Sequence, residues 1–593
     1  MNDFAARLAN LRLEIEAAGL NGFVVPMADA YQSEYVPPSD QRVQFLSGFT
    51  GSAGFIAVLK DKAAFFTDSR YTLQAGQQID AGLFTVFDSA KKTPLAWLEE
   101  NMRPASEIGY DPWLHSAEGV ERLKKAAEKA GARAVAVTTN PIDAIWADRP
   151  APPAEPVVPH ELAYAGKSSA LKRQNIAEEL KKKNIAAVVI TDAASVAWLL
   201  NVRGNDVANT PLPLSRVILR DDATALWFVD PRKLTEALPD HLGEGVACLA
   251  PDKFPAALEE LARAGKPVLL DPSHAANWIV EHIIAAGGKI EKGDDPCELP
   301  KACKNAAELE GMRACHRRDG AALVKFFAWL DQEWRGGVNE MQAEAKLAGF
   351  RAGNNNYRGP SFDTIAGAGE HGAIVHYRAT RASDAPLKDG QLFLLDSGGQ
   401  YLDGTTDVTR TIALGTPTPE MRDRFTRVLK GHIALAAIRF PAGTAGSELD
   451  VLARQYLWEV GLDYGHGTGH GVGCYLGVHE GPQNISKRSK VPLQPGMVVS
   501  NEPGFYKAGG YGIRIENLQC VVEVAGGGEH KMLGFETLTL CPIDRKLIDV
   551  AMLTKSEIDW LNAYHARILQ VLRPMIDESS VVWLEAATLP ISR

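Results

Sequence analysis

The chain has 593 residues, 46% of them hydrophobic and 23% charged, which excludes a wholly disordered or collagen-like protein and allows several sizeable cores. Its 63 basic and 73 acidic residues leave a formal net charge of −10, and such a surface argues against non-specific nucleic-acid binding, which needs basic patches to displace counterions. No apolar run is long enough for a membrane-spanning helix. Met1-Asn2-Asp3 lacks a basic region, and Glu14 and Glu16 interrupt the next apolar stretch, so no signal peptide is expected. Seven scattered cysteines suit reduced thiols in a cytoplasm better than a disulfide framework. Cys297 and Cys303 have no matching second pair, so no zinc site is expected there.

Phe4, Leu8, Leu11 and Ile15 recur at helical spacing and predict an amphipathic helix ending near Gly19. The run Gly22 to Pro26 reads as a buried strand, and the apolar runs 45–49, 55–59 and 63–68 follow it. The same order then returns. Leu171, Ile176 and Leu180 can line a helix, and 186–190 is a strand. Residues 198–204 answer 45–49, while 216–220 and 225–230 answer the next two strands. Asp68-Ser-Arg70 aligns with Asp230-Pro-Arg232. This predicts two copies of one α/β unit. A proline-rich linker lies at 148–156, and a second joint at 293–300. A long helix from Asn305 to about Trp334 opens a third, larger domain. The expected division is therefore 1–147, 157–296 and 305–540, with a carboxy-terminal extension at 541–593.

The third domain carries most of the unusual residues. Gln391 to Asp396 is an apolar strand ending in a carboxylate, Ser397-Gly-Gly399 reads as a turn, and Tyr401 to Thr411 runs back. The hairpin brings Asp396 and Asp407 onto neighbouring strands, where two carboxylates repel unless a divalent cation joins them. The alternative is a pair of surface turn residues. His466 and His470 lie in Gly465-His-Gly-Thr-Gly-His-Gly-Val-Gly473, whose glycines forbid a stable helix, so both imidazoles are expected to project from a tight loop. His479 follows, and three histidines within fourteen residues point to metal or catalytic groups. Glu502 and Glu516 each close an apolar strand, where an unpaired charge is costly. Arg514 and Glu516 share a face at period two, and a salt bridge between them is the plain alternative to metal binding. Two aspartates, a histidine and two glutamates together make a two-metal site, in which bridging carboxylates hold two ions.

The runs ending at Asp396, Asp407, His470, Glu502-Pro-Gly and Arg-Ile-Glu516 resemble the metal-binding motifs of the pita-bread metallopeptidases, in that family's order Asp, Asp, His, Glu, Glu. The likeness is greatest to the three-domain Xaa-Pro aminopeptidases. It extends to 31–35, 49–54 and 67–71 in the first domain, 197–204 in the second, and Leu553-Thr-Lys and 559–565 in the extension. The resemblance implies an α/β chain of two duplicated creatinase-type domains followed by a pita-bread metallopeptidase domain. It implies that Asp396 chelates one ion, Asp407 and Glu516 bridge both, and His470 and Glu502 hold the other. The implied metal is Mn²⁺, with Co²⁺ or Zn²⁺ as alternatives. It further implies that His376, His466 and His479 bind substrate or stabilise the intermediate, and that Arg514 and Tyr506 belong to the proline-binding region. His376 is followed here by Tyr377-Arg378 in the wall of the expected pocket.

The implied reaction removes the residue before a penultimate proline by attack of metal-activated hydroxide. Glu502 is the candidate proton relay, and His479 is a candidate stabiliser of the oxyanion. The free substrate α-amine is expected to meet Asp396 and its metal. A homodimer without membrane or nucleic-acid partners, located in the cytoplasm, is implied as well. The duplicated half is expected to narrow access to the metals.

Several other readings compete. Prolidase, an Xaa-Pro dipeptidase, shares the metal signature. Methionine aminopeptidases lack the two long amino-terminal units, and creatinase works without metal. Scaffold relatives of the same fold have generally lost ligands that all stand here. Gly367-Ala-Gly-Glu-His-Gly372 matches a dinucleotide fingerprint by spelling, but the expected following helix and acidic partner are missing.

Overall fold

A computed structural model describes residues 3–525 and 528–593. Met1 and Asn2, where the signal-peptide reading begins, and positions 526 and 527 of the third expected domain lie outside the described residues. The chain divides into two compact units, Met1–Leu162 with Lys167–Cys297, and Ala163–Gly166 with Glu298–Arg593.

The first unit contains two six-stranded sheets of one topology. The first sheet runs in the order Thr85–Asp88, Ala63–Thr67, Phe55–Leu59, Gly22–Pro26, Glu107–Tyr110 and Arg133–Ala136. The second runs Val246–Leu249, Ala225–Phe228, Arg216–Arg220, Ala187–Ile190, Pro267–Leu270 and Lys289–Lys292. In both, the central strand pairs antiparallel with one neighbour and parallel with the other. Duplication therefore holds at the level of strand order and direction.

The apolar runs are continuous because both sheet faces are covered. Phe23 and Val25 face one core while Val24 faces the other, the alternation that period two demands. The matched motifs do matched work. Arg70 pairs with Asp68, and Arg232 pairs with Asp230. The helices Arg42–Ser47 and Ala193–Leu200 both end on a left-handed residue, Gly48 and Asn201. Equivalent turns also join the copies: Asn277 N donates to His115 O (2.8 Å), and Ala117 N donates to Ala275 O (3.0 Å).

The second unit opens with the short helix Glu298–Ala302, which takes the last residues of the expected 293–300 joint. The long helix Ala306–Glu333 follows, started by a capping box between Asn305 and Glu308. Its main sheet orders Phe440–Pro441, Met532–Thr537, Asn517–Val524, Val498–Asn501, Gly469–Gly471 and Glu480–Ile485. A smaller sheet pairs Leu392–Ser397 with Ile365–Ala368 on one side and Val408–Ala413 on the other.

The expected turn at 397–399 is not where the chain reverses. Past Ser397 it makes a second, smaller hairpin, in which Gln400 pairs with Thr405 and Tyr401 with Gly404, and it reverses at Leu402 and Asp403. Gly398 permits this: a Cβ there would lie 2.0 Å from Thr406 O. Asp396 and Asp407 still reach adjacent strands, because Asp396 pairs with Thr409 and Ser397 with Val408.

The carboxy-terminal helix Lys555–Leu572 packs Ile558, Leu561, Ile568 and Leu572 into the core of this unit. Tyr564 OH lies 3.0 Å from Arg410 Nη2, and the buried Arg410 also donates to the backbone oxygens of Thr409, Glu516 and Cys541. The extension thus braces the strand that follows Asp407. Gly367–Gly372 crosses from a strand into the 3₁₀ turn Gly369–Ala373, without the long helix a dinucleotide site requires. Among the described residues, no helix is long and apolar enough to cross a membrane.

Candidate metal centre

His470 sits on the strand Gly469–Gly471, not on the expected loop. The flanking glycines do not free the backbone; they let it close into the sheet. A Cβ on Gly469 would lie 2.0 Å from Ser500 O, and one on Gly471 2.2 Å from Glu480 O. His470 Nδ1–H donates to Gly471 O (2.9 Å), which turns Nε2 towards the carboxylates. Nε2 lies 3.5 Å from Asp407 Oδ2 and 3.5 Å from Glu502 Oε1. Asp407, His470 and Glu516 each offer one ligand atom, all within 4.8 Å of one another.

Asp396 joins this group through Arg514, whose Nη2 donates to Asp396 Oδ2 (2.6 Å). The Arg514–Glu516 salt bridge considered from the sequence does not form; Thr409 stands between the two. Its hydroxyl donates to Glu516 Oε2 (2.7 Å) and accepts from Arg514 Nε (3.1 Å). Arg514 Nη1 donates to Tyr506 OH (2.7 Å), and Tyr506 OH lies 2.8 Å from His466 Nε2. With His466 Nδ1 2.7 Å from Gly467 O, a consistent chain runs from Gly467 through His466, Tyr506 and Arg514 to Asp396. The His479 ring stands at 76° to the His470 ring, with centroids 4.4 Å apart. His376 lies on the turn after Ala373, and Val375 O beside it accepts from Arg514 Nη2 (3.4 Å).

Burial dominates the electrostatics. It raises the Asp396 carboxyl to about 7; Arg514 pulls it back, and Asp407 and Glu502 push it up again. Glu502 is raised by burial, with Asp407 adding to the shift, while His470 and Arg514 oppose it. Glu516 is held well above the usual carboxylate range by burial and by Asp407, Asp396 and Glu502. Burial lowers His470, but the hydrogen bond with Asp407 and the charges of Glu502 and Asp407 outweigh that and raise it to about 9.

Four carboxylates crowded out of water call for positive charge. Among the described residues, the buried Asp396 Oδ1 and Asp407 Oδ1 have no hydrogen-bond partner. Open oxygen ligands with one imidazole form a donor set that fits Mn²⁺, Co²⁺ or Zn²⁺. The residues present therefore fit a divalent metal centre.

Comparison with known proteins agrees with this chemistry. Residues 310–523 match the model of metallopeptidase family M24, and 531–591 match the C-terminal region of that peptidase. Residues 7–145 and 148–308 each match a creatinase/prolidase N-terminal domain. A probable Xaa-Pro aminopeptidase P of Aspergillus clavatus is 41% identical over 99% of this chain and 93% of its own length. One from Paracoccidioides brasiliensis is 41% identical over 99% of both chains. The chain belongs to the aminopeptidase P family of M24 metallopeptidases. The crystal structure of an X-prolyl aminopeptidase from Caenorhabditis elegans, described as a cytosolic enzyme with a di-nuclear active site, covers 100% of both chains with a TM-score of 0.96 at 36% identity. A prolidase from Thermococcus sibiricus covers 64% of this chain with a TM-score of 0.51 at 20% identity and shares the fold only.

Sequence reasoning missed three supporting residues. Thr409 joins Arg514 to Glu516. Ser500 accepts from His470 N (2.9 Å) and donates to Glu502 Oε1 (3.0 Å). The buried Arg454 holds His466 by its carbonyl (2.7 Å). Thr409 and Ser500 stand two residues along a strand from Asp407 and Glu502, so period two was the signal that could have found them.

Proposed function

We propose that the chain is a metal-dependent aminopeptidase that removes the first residue from peptides with proline in second position. The observation that carries this reading is the close grouping of Asp396, Asp407 and Glu516, all buried, with the half-buried His470 and Glu502, in a chain matched to aminopeptidase P over nearly its full length. Asp396 would chelate one divalent ion, Asp407 and Glu516 would bridge two, and His470 and Glu502 would complete the second. Mn²⁺ is the proposed metal. When bound, two such ions activate water near neutral pH and polarise the scissile carbonyl.

The other steps fall to side chains. Glu502, raised by burial, takes and relays the proton that the leaving proline nitrogen must receive. His479, beside His470, donates to the oxygen as negative charge grows there. His376, His466, Tyr506 and Arg514 orient the peptide around the proline ring. Asp396 meets the free α-amine, which selects amino termini. The proposed domain division is 1–147, 157–296, 305–540 and 541–593. A cytoplasmic homodimer is proposed in line with the reading of the sequence.

The test is incubation with Mn²⁺ and two peptides, an Xaa-Pro dipeptide and a longer Xaa-Pro-Yaa peptide. Release of the first residue from the longer peptide supports the proposal. Cleavage of the dipeptide alone moves the reading to a prolidase, and cleavage of neither contradicts both.

A further inference from the structure

We propose that Arg454 is a positioning residue for the substrate-facing side of the centre, acting through His466. This rests on the aminopeptidase reading above. Arg454 lies on the helix Gly446–Trp458 and is only 1% exposed. Every one of its five N–H donors has an acceptor. Nε and Nη2 clasp Asp450 at 2.7 and 3.1 Å. Nη1 donates to Asp463 Oδ1 and Tyr464 O, both at 2.8 Å, and Nη2 donates to His466 O at 2.7 Å. The guanidinium also lies over the Tyr464 ring, 3.9 Å from its centroid. Its planar fork is what lets one side chain hold two carboxylates and two carbonyls at once, and an ammonium has no such geometry.

The same ion pair fixes the far side of the segment. Asp450 Oδ1 accepts from Thr468 Oγ1 (2.6 Å), and Tyr464 OH lies 2.5 Å from that hydroxyl. His466 is thus strapped on both sides, at its own carbonyl and two residues later. Its ring packs on Tyr464, with centroids 4.9 Å apart, and its Nε2 faces Tyr506. A buried ion pair with all donors satisfied tolerates little shift, so the strap sets where the His466–Tyr506–Arg514 chain meets substrate.

A double-mutant cycle tests this. Arg454→Lys and Tyr506→Phe are made singly and together in the full-length protein loaded with Mn²⁺. Hydrolysis of an Xaa-Pro-Yaa peptide and bound Mn²⁺ per chain are then measured. Misplacement of about 1 Å at a reacting centre costs up to roughly 100-fold, so Arg454→Lys is expected to lower kcat/KM by about 10- to 100-fold with Mn²⁺ content unchanged. In the Tyr506→Phe background, where the chain from His466 is already cut, the same change is expected to cost no more than about 3-fold. Equal losses in both backgrounds, no loss, or lost metal would overturn the proposal. Thr468→Val, which removes the Asp450 strap and the Tyr464 hydroxyl contact but leaves Arg454 in place, runs through the same cycle and decides the matter if Arg454→Lys does not fold. A wild type that cleaves no Xaa-Pro peptide overturns the aminopeptidase reading itself, which the wild-type arm shows separately.

Discussion

Arg514 and Asp396 form a buried ion pair, with Nη2 2.6 Å from Oδ2, inside a group that also holds three other carboxylates. The guanidinium balances charge that the protein cannot expose to water. Removing one partner of such a pair leaves the other uncompensated, at a cost of about 3–5 kcal/mol. Arg514→Met is therefore expected to lower unfolding stability by that order in chelator-treated protein, and Asp396→Asn with Arg514→Met to recover part of it. Denaturant unfolding of the single and double variants checks this; additive losses would count against the pairing.

Metal and stability are linked with a definite sign. A ligand that binds only the folded chain stabilises it, by roughly 4 kcal/mol at a thousandfold excess over Kd. Chelation is expected to lower the Tm of the wild type, and Mn²⁺ to restore it. Asp407→Asn removes one of the crowded charges. After chelation it is expected to be at least as stable as the wild type, while gaining nothing from Mn²⁺. Melting curves with and without the ion measure both effects.

Of the five proposed ligands, the four carboxylates were legible because each ends or flanks a strand, where a charge stands out, and His470 because three histidines fall within fourteen residues. The repeated succession of strands in the duplicated half was legible in its apolar runs, but the order in which they pair in each sheet was not. What escaped was set by contacts distant along the chain. The small hairpin between Asp396 and Asp407 depends on Gly398 fitting against Thr406 and Ser361, which nothing nearby in sequence announces. Glycines around His470 spell a loop, yet they are spaced to meet Ser500 and Glu480. Arg454 looks like an ordinary helix residue until the fold brings Tyr464 and His466 against it.

Gly469 offers a local check on that packing. A methyl group there would sit 2.0 Å from Ser500 O, a backbone atom that cannot swing aside. Gly469→Ala is expected to displace His470, cost about 1–3 kcal/mol as overpacking does, and reduce bound Mn²⁺. Unchanged stability and metal content would show that the strand has slack.

The buried His565 predicts acid sensitivity. Its Nε2 accepts from Ile543 N–H (3.1 Å), and burial, with Arg410 and Arg545 near, lowers it to about 3. Its folded pKa is thus below the unfolded value of about 6.5, so the unfolded chain binds the extra proton first. The stability it contributes is complete above about pH 6.5 and falls away as the pH drops towards 3. The gap in Tm between the wild type and His565→Gln is therefore expected to narrow from pH 7.5 to pH 5. A gap that stays constant or widens would contradict a neutral buried imidazole.

The most direct measurement is the number of ions per chain and its link to hydrolysis. Metal-depleted protein is titrated with Mn²⁺, bound metal is counted by elemental analysis, and release of the first residue from an Xaa-Pro-Yaa peptide is followed in parallel. The wild type is expected to bind two ions per chain and to gain activity as they bind, whereas Asp407→Asn and Glu516→Gln lose both. Hydrolysis that persists at full rate in metal-depleted protein, or variants that keep two ions and full activity, would contradict the account.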